Sequence, residues 1–109
     1  MHPNLTFLGK GGSGDRDCPS LYATDPGFLV VGWRTGRAET VEIPHLLLGF
    51  LPHESFINTT LSDTGRGTFS LTGTPVTDPE TLDYLNMESY ETAIEVPKAE
   101  REYFGATAD

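Results

Sequence analysis

The apolar residues of this chain are concentrated in three short segments near its middle. They lie at residues 28–34, 40–43 and 46–51. In the second segment, Val41 and Ile43 alternate with polar residues, which is the period of a strand with one buried face. The three segments hold the only tryptophan and most of the consecutive apolar side chains. Their burial is therefore expected to supply much of the hydrophobic free energy of folding.

Turn residues divide the first half of the chain into antiparallel strands. Asp25, Pro26 and Gly27 favour a tight turn, because proline presets its φ angle and glycine accepts a positive one. Residues 9–17 are rich in glycine and charge, which predicts a flexible loop. The strands predicted on either side of these turns lie at residues 5–8, 20–24, 28–34 and 40–43.

A short helix is predicted over residues 44–51. Pro44 suits the first helical position, because an N–H group at that position has no partner within the helix. The residues after His45 are apolar on every side, so we expect this helix to be buried. Pro52 is expected to end it.

The second half of the chain is predicted to contain a second hairpin and a second helix. Residues 56–61 and 68–72 flank a loop with two glycines, which predicts that they pair as a hairpin. Asp78 has the chemistry of an N-cap, and Pro79 follows it at the first helical position. These signals predict a helix over residues 78–86.

The remaining residues complete a single α+β domain. Residues 92–96 alternate as a strand that Pro97 is expected to end, and a last helical turn is predicted at 98–104, before a frayed tail at 105–109. The 109 residues of the chain suffice for one core but not for two. We expect an antiparallel sheet of about five to seven short strands with two or three short helices, one of them packed over the sheet.

The acidic residues are gathered towards the C-terminal end of the sequence. The formal net charge is −9, and residues 75–109 carry −7 of it through nine acidic and two basic side chains. Such a charge repels a phosphate backbone, so direct binding of nucleic acid is not expected, whereas a basic protein partner is. Tyrosines among the carboxylates supply contact area at low entropic cost. The predicted partner-binding residues are Asp83, Tyr84, Glu88, Tyr90 and Glu91. The alternative is a solvated helix face that only keeps the protein soluble.

No pattern in the sequence is typical of a catalytic or cofactor site, so we expect a protein that is not an enzyme and has no cofactor. Gly9, Gly11 and Gly14 have the spacing of dinucleotide-binding glycines. Acidic residues follow them, however, where the N-terminus of a helix should receive the phosphates. Cys18 is the only cysteine, which excludes an intramolecular disulfide and a zinc site built from several cysteines.

The histidines leave a second function open. His45 and His53 can in principle combine with Glu54 or Cys18 in a metal or acid–base site. Their spacing does not favour this, so structural roles are expected and no metal is predicted. The alternative to a protein-contact function is a small-molecule-binding protein or a small enzyme with a pocket near residues 44–54.

The expected location is the cytoplasm, without membrane contact. The first residues contain no basic segment followed by an apolar run, and no stretch reaches the roughly 18 apolar residues of a membrane helix. The open edges of a small antiparallel sheet favour a homodimer.

The order of motifs over residues 7–51 resembles a known family. A Gly/Ser-rich opening and a cysteine precede a strand, a turn, a second strand ending in a basic residue, a third strand ending in proline and a short helix. The residues that carry this order are 7–14, Asp17, Cys18, 30–34 and 41–44. It is similar to the actinobacterial domain of unknown function numbered 397. The resemblance implies an accessory protein that acts by protein contact on a helix-turn-helix transcription regulator, and it implies no catalytic residue.

Overall fold

Within residues 4–11 and 19–102, the chain forms nine strands and two short helical segments. The structure is a computed structural model that describes residues 4–11 and 19–102. Cys18, the remainder of the predicted glycine loop and the tail at 105–109 lie outside the described residues. The strands are β1 (Thr6–Lys10), β2 (Ser20–Ala23), β3 (Gly27–Arg34), β4 (Thr40–Pro44), β5 (Ser55–Ile57), β6 (Ser62–Asp63), β7 (Thr68–Thr72), β8 (Thr74–Pro75) and β9 (Glu91–Glu100). The helical segments are a 3-10 helix (His45–Phe50) and α1 (Pro79–Leu85).

Strand β3 is the centre of the sheet. It pairs with β9 along one edge, from Gly27 opposite Pro97 to Trp33 opposite Glu91. Its other edge is shared by β2 and then by β4, which pairs only at the end of the strand. All residues from Gly27 to Gly32 are buried. Because successive side chains of a strand point to opposite faces, β3 is covered on both faces as well as along both edges.

The other strands extend the sheet outwards from β3, and every pairing is antiparallel. Strand β1 pairs with β2, whereas β7 pairs with β4 and carries the two-residue strand β6 on its other side. Strand β9 also pairs with β8 and β5. The predicted mainly antiparallel sheet is therefore confirmed, although the described residues form nine strands and not the predicted five to seven. The described residues hold fewer helices than predicted.

Each face of the sheet packs its own apolar cluster. The first cluster contains Phe28 and Val30 of β3, and Leu47 of the 3-10 helix is buried in it. The second cluster contains Leu29 and Val31, against which Leu85 at the end of α1 packs. The face of the first cluster is called the 3-10 face below, and the face of the second is called the α1 face.

The helix predicted over residues 44–51 forms, but its geometry and burial differ from the prediction. It is a 3-10 helix, and Pro44 is its N-cap and the last residue of β4. Only Leu47 is fully buried, whereas Leu46 and Phe50 are 57% and 39% exposed. No side-chain hydrogen bond caps the start of this segment, in contrast to α1, and short 3-10 segments are frequent as connectors between strands. The prediction that this helix is buried throughout is therefore wrong.

The hairpin predicted between residues 56–61 and 68–72 does not form. Strand β5 pairs with the end of β9, and β7 forms its tight hairpin with the shorter strand β6. Strand β9 continues through Pro97, because β5 replaces β3 as its partner from Lys98 onwards. The backbone N–H of Asn58 donates to the carbonyl oxygen of Pro97 at 2.9 Å, which joins the two strands at this change of partner. The predictions that Pro97 ends the strand and that a helical turn begins at residue 98 are wrong.

The first residues of the predicted glycine-rich loop belong to a strand. Gly9 and Lys10 belong to β1 and pair with β2. The ring of Phe50 occupies the space that a Cβ atom on Gly9 would need. The backbone N–H of Gly11 donates to the carbonyl oxygen of Pro19 at 2.8 Å. The prediction that the loop starts at residue 9 is therefore wrong.

Helix α1 follows its predicted capping signals. The side chain of Asp78 accepts from the backbone N–H of Thr81 at 2.9 Å, and Pro79 is the first helical residue. At the other end, Asn86 has left-handed φ and ψ angles of 52° and 55°. Such a residue ends a helix, because its N–H can turn back to a carbonyl of the last turn. The helix predicted near residues 78–86 is confirmed.

The pairing of β3 with β9 predicts that Gly27 tolerates no side chain. A Cβ atom at this position would collide with the backbone carbonyl oxygen of Val96. Gly27→Ala is therefore expected to lower the free energy of unfolding by about 1–3 kcal/mol in urea titrations, as overpacking of a core does. Gly36→Ala is the matched control, because nothing lies within 4 Å of its Cβ position. Equal stability of the two variants would contradict the close approach of β3 and β9.

Candidate functional site

The sequence-predicted contact residues lie on or after α1, and the structure separates them into exposed and buried members. Tyr84 and Tyr90 are 48% and 45% exposed, and Asp83 is exposed as well. Leu85 packs inwards against the α1 face, whereas Asp83 and Tyr84, which precede it in the helix, are exposed. Glu88 is half-buried in the turn that follows the helix.

Glu91 does not join this exposed surface. It is the first residue of β9 and is 1% exposed. Its carboxylate accepts from the backbone N–H of Glu88 at 3.1 Å, and its own N–H donates to the Glu88 carbonyl oxygen at 3.0 Å. These bonds close the turn that leads into the strand. The prediction that Glu91 offers its carboxylate to a partner is therefore wrong, because this side chain serves the fold.

Two aromatic residues that the sequence analysis missed lie on the α1 face. Phe7 and Tyr22 stand opposite each other in the pairing of β1 with β2, and their rings meet edge to face with centroids 5.5 Å apart. Phe7 is 55% exposed, whereas Tyr22 packs partly against the second cluster. The alternation of buried Leu21 with Tyr22 is the sequence signal that could have placed Tyr22 on this face.

Tyr22 and Leu85 of α1 pack against the same cluster, and the surroundings of Tyr22 shift the pKa of its hydroxyl. Burial raises the pKa of its hydroxyl above the ordinary value, and the neighbouring charge of Tyr84 raises it further. A hydrogen bond with Ser20 opposes these effects, and the carboxylate of Glu91 adds to them. Phe7 of β1 and Tyr22 of β2 form an aromatic pair on the α1 face, and Tyr84 belongs to the helix that covers this face. We refer to these three residues as the aromatic row.

A polar network joins β4 to the hairpin of β6 and β7. The hydroxyl of Thr68 donates to Glu42 at 2.6 Å, and Arg66 donates to both carboxylate oxygens of Glu42 at 3.0 Å. The bond from Thr68 and, after it, the contact with Arg66 hold the pKa of Glu42 below its usual range, although partial burial opposes them. These contacts fix the hairpin to the sheet, so the network has a structural role.

The histidines are placed apart from one another. His45 Nε2 lies 3.2 Å from the carbonyl oxygen of Thr68 and 3.7 Å from a carboxylate oxygen of Asp63, and its ring packs on Phe69. His53 instead lines a pocket to which His45 does not contribute. Across residues 4–11 and 19–102, no group of three His, Cys, Asp or Glu side chains could hold a metal ion.

The pocket lies on the 3-10 face, within the region of the alternative site predicted near residues 44–54. Its volume is about 530 Å³. Apolar side chains form most of its lining, and His53 and Arg101 are the polar residues at it. Glu54 positions Arg101 at this pocket through the main chain: the carbonyl oxygen of Glu54 accepts from the backbone N–H of Arg101 at 2.6 Å. The apolar lining residues are Leu48, Leu51, Pro52, Phe56, Ile57 and Leu61.

The fold and these surfaces define a small, mainly antiparallel β-sheet protein with a helix on each face. A scan against protein-family models, a search of curated proteins and a search of solved structures found no match. The resemblance of residues 7–51 to family 397 therefore stays a hypothesis. Neither helix of the described chain has the length and apolar character that crossing a membrane requires.

The position of Tyr22 predicts a loss of stability at alkaline pH. Its pKa in the folded protein lies above the ordinary value of 10.0, so above that pH the unfolded chain gives up this proton more readily. The stabilising contribution is fully present below the ordinary value and is lost as the pH rises through the raised one. Urea unfolding from neutral to alkaline pH should show this loss, and Tyr22→Phe should reduce it. Parallel losses in both proteins would contradict the assigned environment of Tyr22.

Proposed function

We propose that this protein is a non-catalytic interaction module that binds a basic surface of a protein partner through its α1 face. The contact surface consists of the aromatic row together with Glu80 and Asp83 of α1. The observation that carries the proposal is that the Phe7–Tyr22 pair lies on the face that α1 covers, that Phe7 and Tyr84 are each about half exposed, and that carboxylates of α1 are exposed. Exposed aromatic side chains in one row are typical of the centre of a protein interface.

The two kinds of side chain have different roles in this proposal. The carboxylates of α1 steer a positively charged partner during encounter, because the charge of residues 75–109 is −7. The aromatic rings then supply the short-range contact area, since they bury large surfaces at a small loss of side-chain freedom. Tyr90 extends the contact beyond the helix, and Glu88 contributes only its exposed part.

The partner we propose is a helix-turn-helix transcription regulator in the cytoplasm. Two observations support this choice. The resemblance of residues 7–51 to family 397 implies such a regulator, and a DNA-binding domain presents the lysine and arginine side chains that an acidic surface attracts. Occupation of that basic surface would compete with operator binding, so the module would act as a regulator of the regulator.

The carboxylates and the tyrosine can be tested separately by calorimetry with the purified regulator at low and moderate salt. Glu80→Gln/Asp83→Asn should weaken binding mainly at low salt and flatten the salt dependence, because exposed charges are screened over about 8 Å at physiological ionic strength. Tyr84→Ala should weaken binding at both salt concentrations by about tenfold, as the loss of an interface anchor does.

The matched control removes two charges elsewhere. Glu54→Gln/Glu100→Gln changes the net charge equally, and both residues are exposed where the start of β5 pairs with the end of β9. This variant should keep most of the affinity. If it weakens binding as much as Glu80→Gln/Asp83→Asn, the effect is one of total charge and the proposed contact surface is wrong.

A further inference from the structure

We propose that the pocket on the 3-10 face is a binding site for a small amphipathic carboxylate, with the apolar body of the ligand in the pocket and its carboxylate on Arg101. The site does not depend on the proposed protein contact. The contact surface lies on the α1 face, whereas the pocket is lined by residues that pack on the first cluster. The two functions can therefore be tested and can fail independently.

The apolar part of the site is built into the core. Ile57 is 5% exposed and belongs to the first cluster, and Leu48, Leu51 and Leu61 pack against that cluster. Their remaining surface lines the pocket. Its volume of about 530 Å³ falls in the range of roughly 300–1,000 Å³ that is usual for small-molecule sites, which are mostly apolar with a few polar groups. An apolar ligand body gains free energy here by removing this surface from water.

The cation at this pocket is held in a defined position. The Nε–H of Arg101 donates to the carbonyl oxygen of His53 at 2.9 Å, and its guanidinium carbon lies 5.4 Å from the centre of the Phe56 ring. The backbone N–H of Arg101 is bound to Glu54 at the same time. The guanidinium is thus fixed through one nitrogen and by the Phe56 ring, and within residues 4–11 and 19–102 no carboxylate is ion-paired with it.

A carboxylate suits this arrangement better than other ligand groups. The two terminal nitrogens of a guanidinium match the two oxygens of a carboxylate, and such paired hydrogen bonds are strong and directional. A cationic ligand would meet the positive charge of Arg101. The exposed acids Glu54, just before β5, and Glu100, the last residue of β9, would repel a doubly charged phosphate more strongly than a singly charged carboxylate. One negative charge on an apolar body is the combination that the site favours.

The direct test compares decanoate with decan-1-ol, below their aggregation concentrations, by calorimetry and by amide chemical shifts in NMR. Decanoate should bind the wild-type protein more tightly than the alcohol and shift the amides of residues 48–61. Arg101→Gln should lower the affinity for decanoate by about tenfold or more, as the loss of a charge-assisted hydrogen-bond pair does. The affinity for decan-1-ol should remain almost unchanged. Leu61→Trp, which fills the pocket, should abolish both.

Arg37→Gln is the matched control, because Arg37 is an exposed arginine that pairs with Glu39 in another part of the molecule. It should leave decanoate binding unchanged. The proposal is overturned if decanoate and the alcohol bind the wild-type protein with equal affinity, if Arg101→Gln weakens both to the same extent, or if neither binds. Binding that persists in Leu61→Trp would equally overturn it, because the ligand would then lie elsewhere.

Discussion

The pairing of β3 with β9 is the interaction on which the rest of the structure depends. It joins two strands that are far apart in the sequence and leaves β3 buried on both faces. A strand in that position needs cover above and below, and the 3-10 helix and α1 provide it from opposite sides. A glycine is required at the start of this pairing, because a Cβ atom on Gly27 would collide with the carbonyl oxygen of Val96 on β9.

A sheet with cover on both faces presents two chemically different surfaces. On the α1 face, the covering helix is acidic outside and is followed by exposed tyrosine, which suits contact with a large, positively charged surface. On the 3-10 face, the cover is shorter than the strands beneath it, so apolar side chains beyond its end remain accessible as a pocket. Strand β9 reaches both regions, since its start lies next to Glu88 and its end leads into Arg101.

The sequence predicts correctly those features that depend on residues close together in the chain. The alternation of Val41 and Ile43, the turn before β3 and the capping of α1 by Asp78 each depend on residues close in the chain, and each was predicted. The pairing of β5 with β9 joins residues about 40 positions apart, and no local pattern specifies such a partner. The strand was wrongly predicted to end at Pro97 for the same reason. Whether a strand tolerates a proline depends on which strand lies next to that residue, and this neighbour is distant in the sequence.

The candidate sites show the same division. The exposure of Tyr84 follows from its helical position relative to Leu85, and it was foreseen. The burial of Glu91 depends on a turn in which its carboxylate binds a backbone N–H, and charge counting cannot reveal that. The contribution of Phe7 required the pairing of β1 with β2, and the anchoring of Arg101 required β5. The sequence therefore indicates which side chains are suited to binding, but it does not indicate which of them the fold brings together.

The late position of β9 in the chain has a consequence for how this protein folds during synthesis. All three strands that pair with β9 precede it in the sequence, so none of these ladders can form until the ribosome has released residues 91–100. Until then one edge of β3, with its run of apolar side chains, has no partner. Folds dominated by such distant pairings fold slowly, and an open apolar edge is where nascent chains associate wrongly. The open edge of β3 is therefore closed only after β9 has emerged.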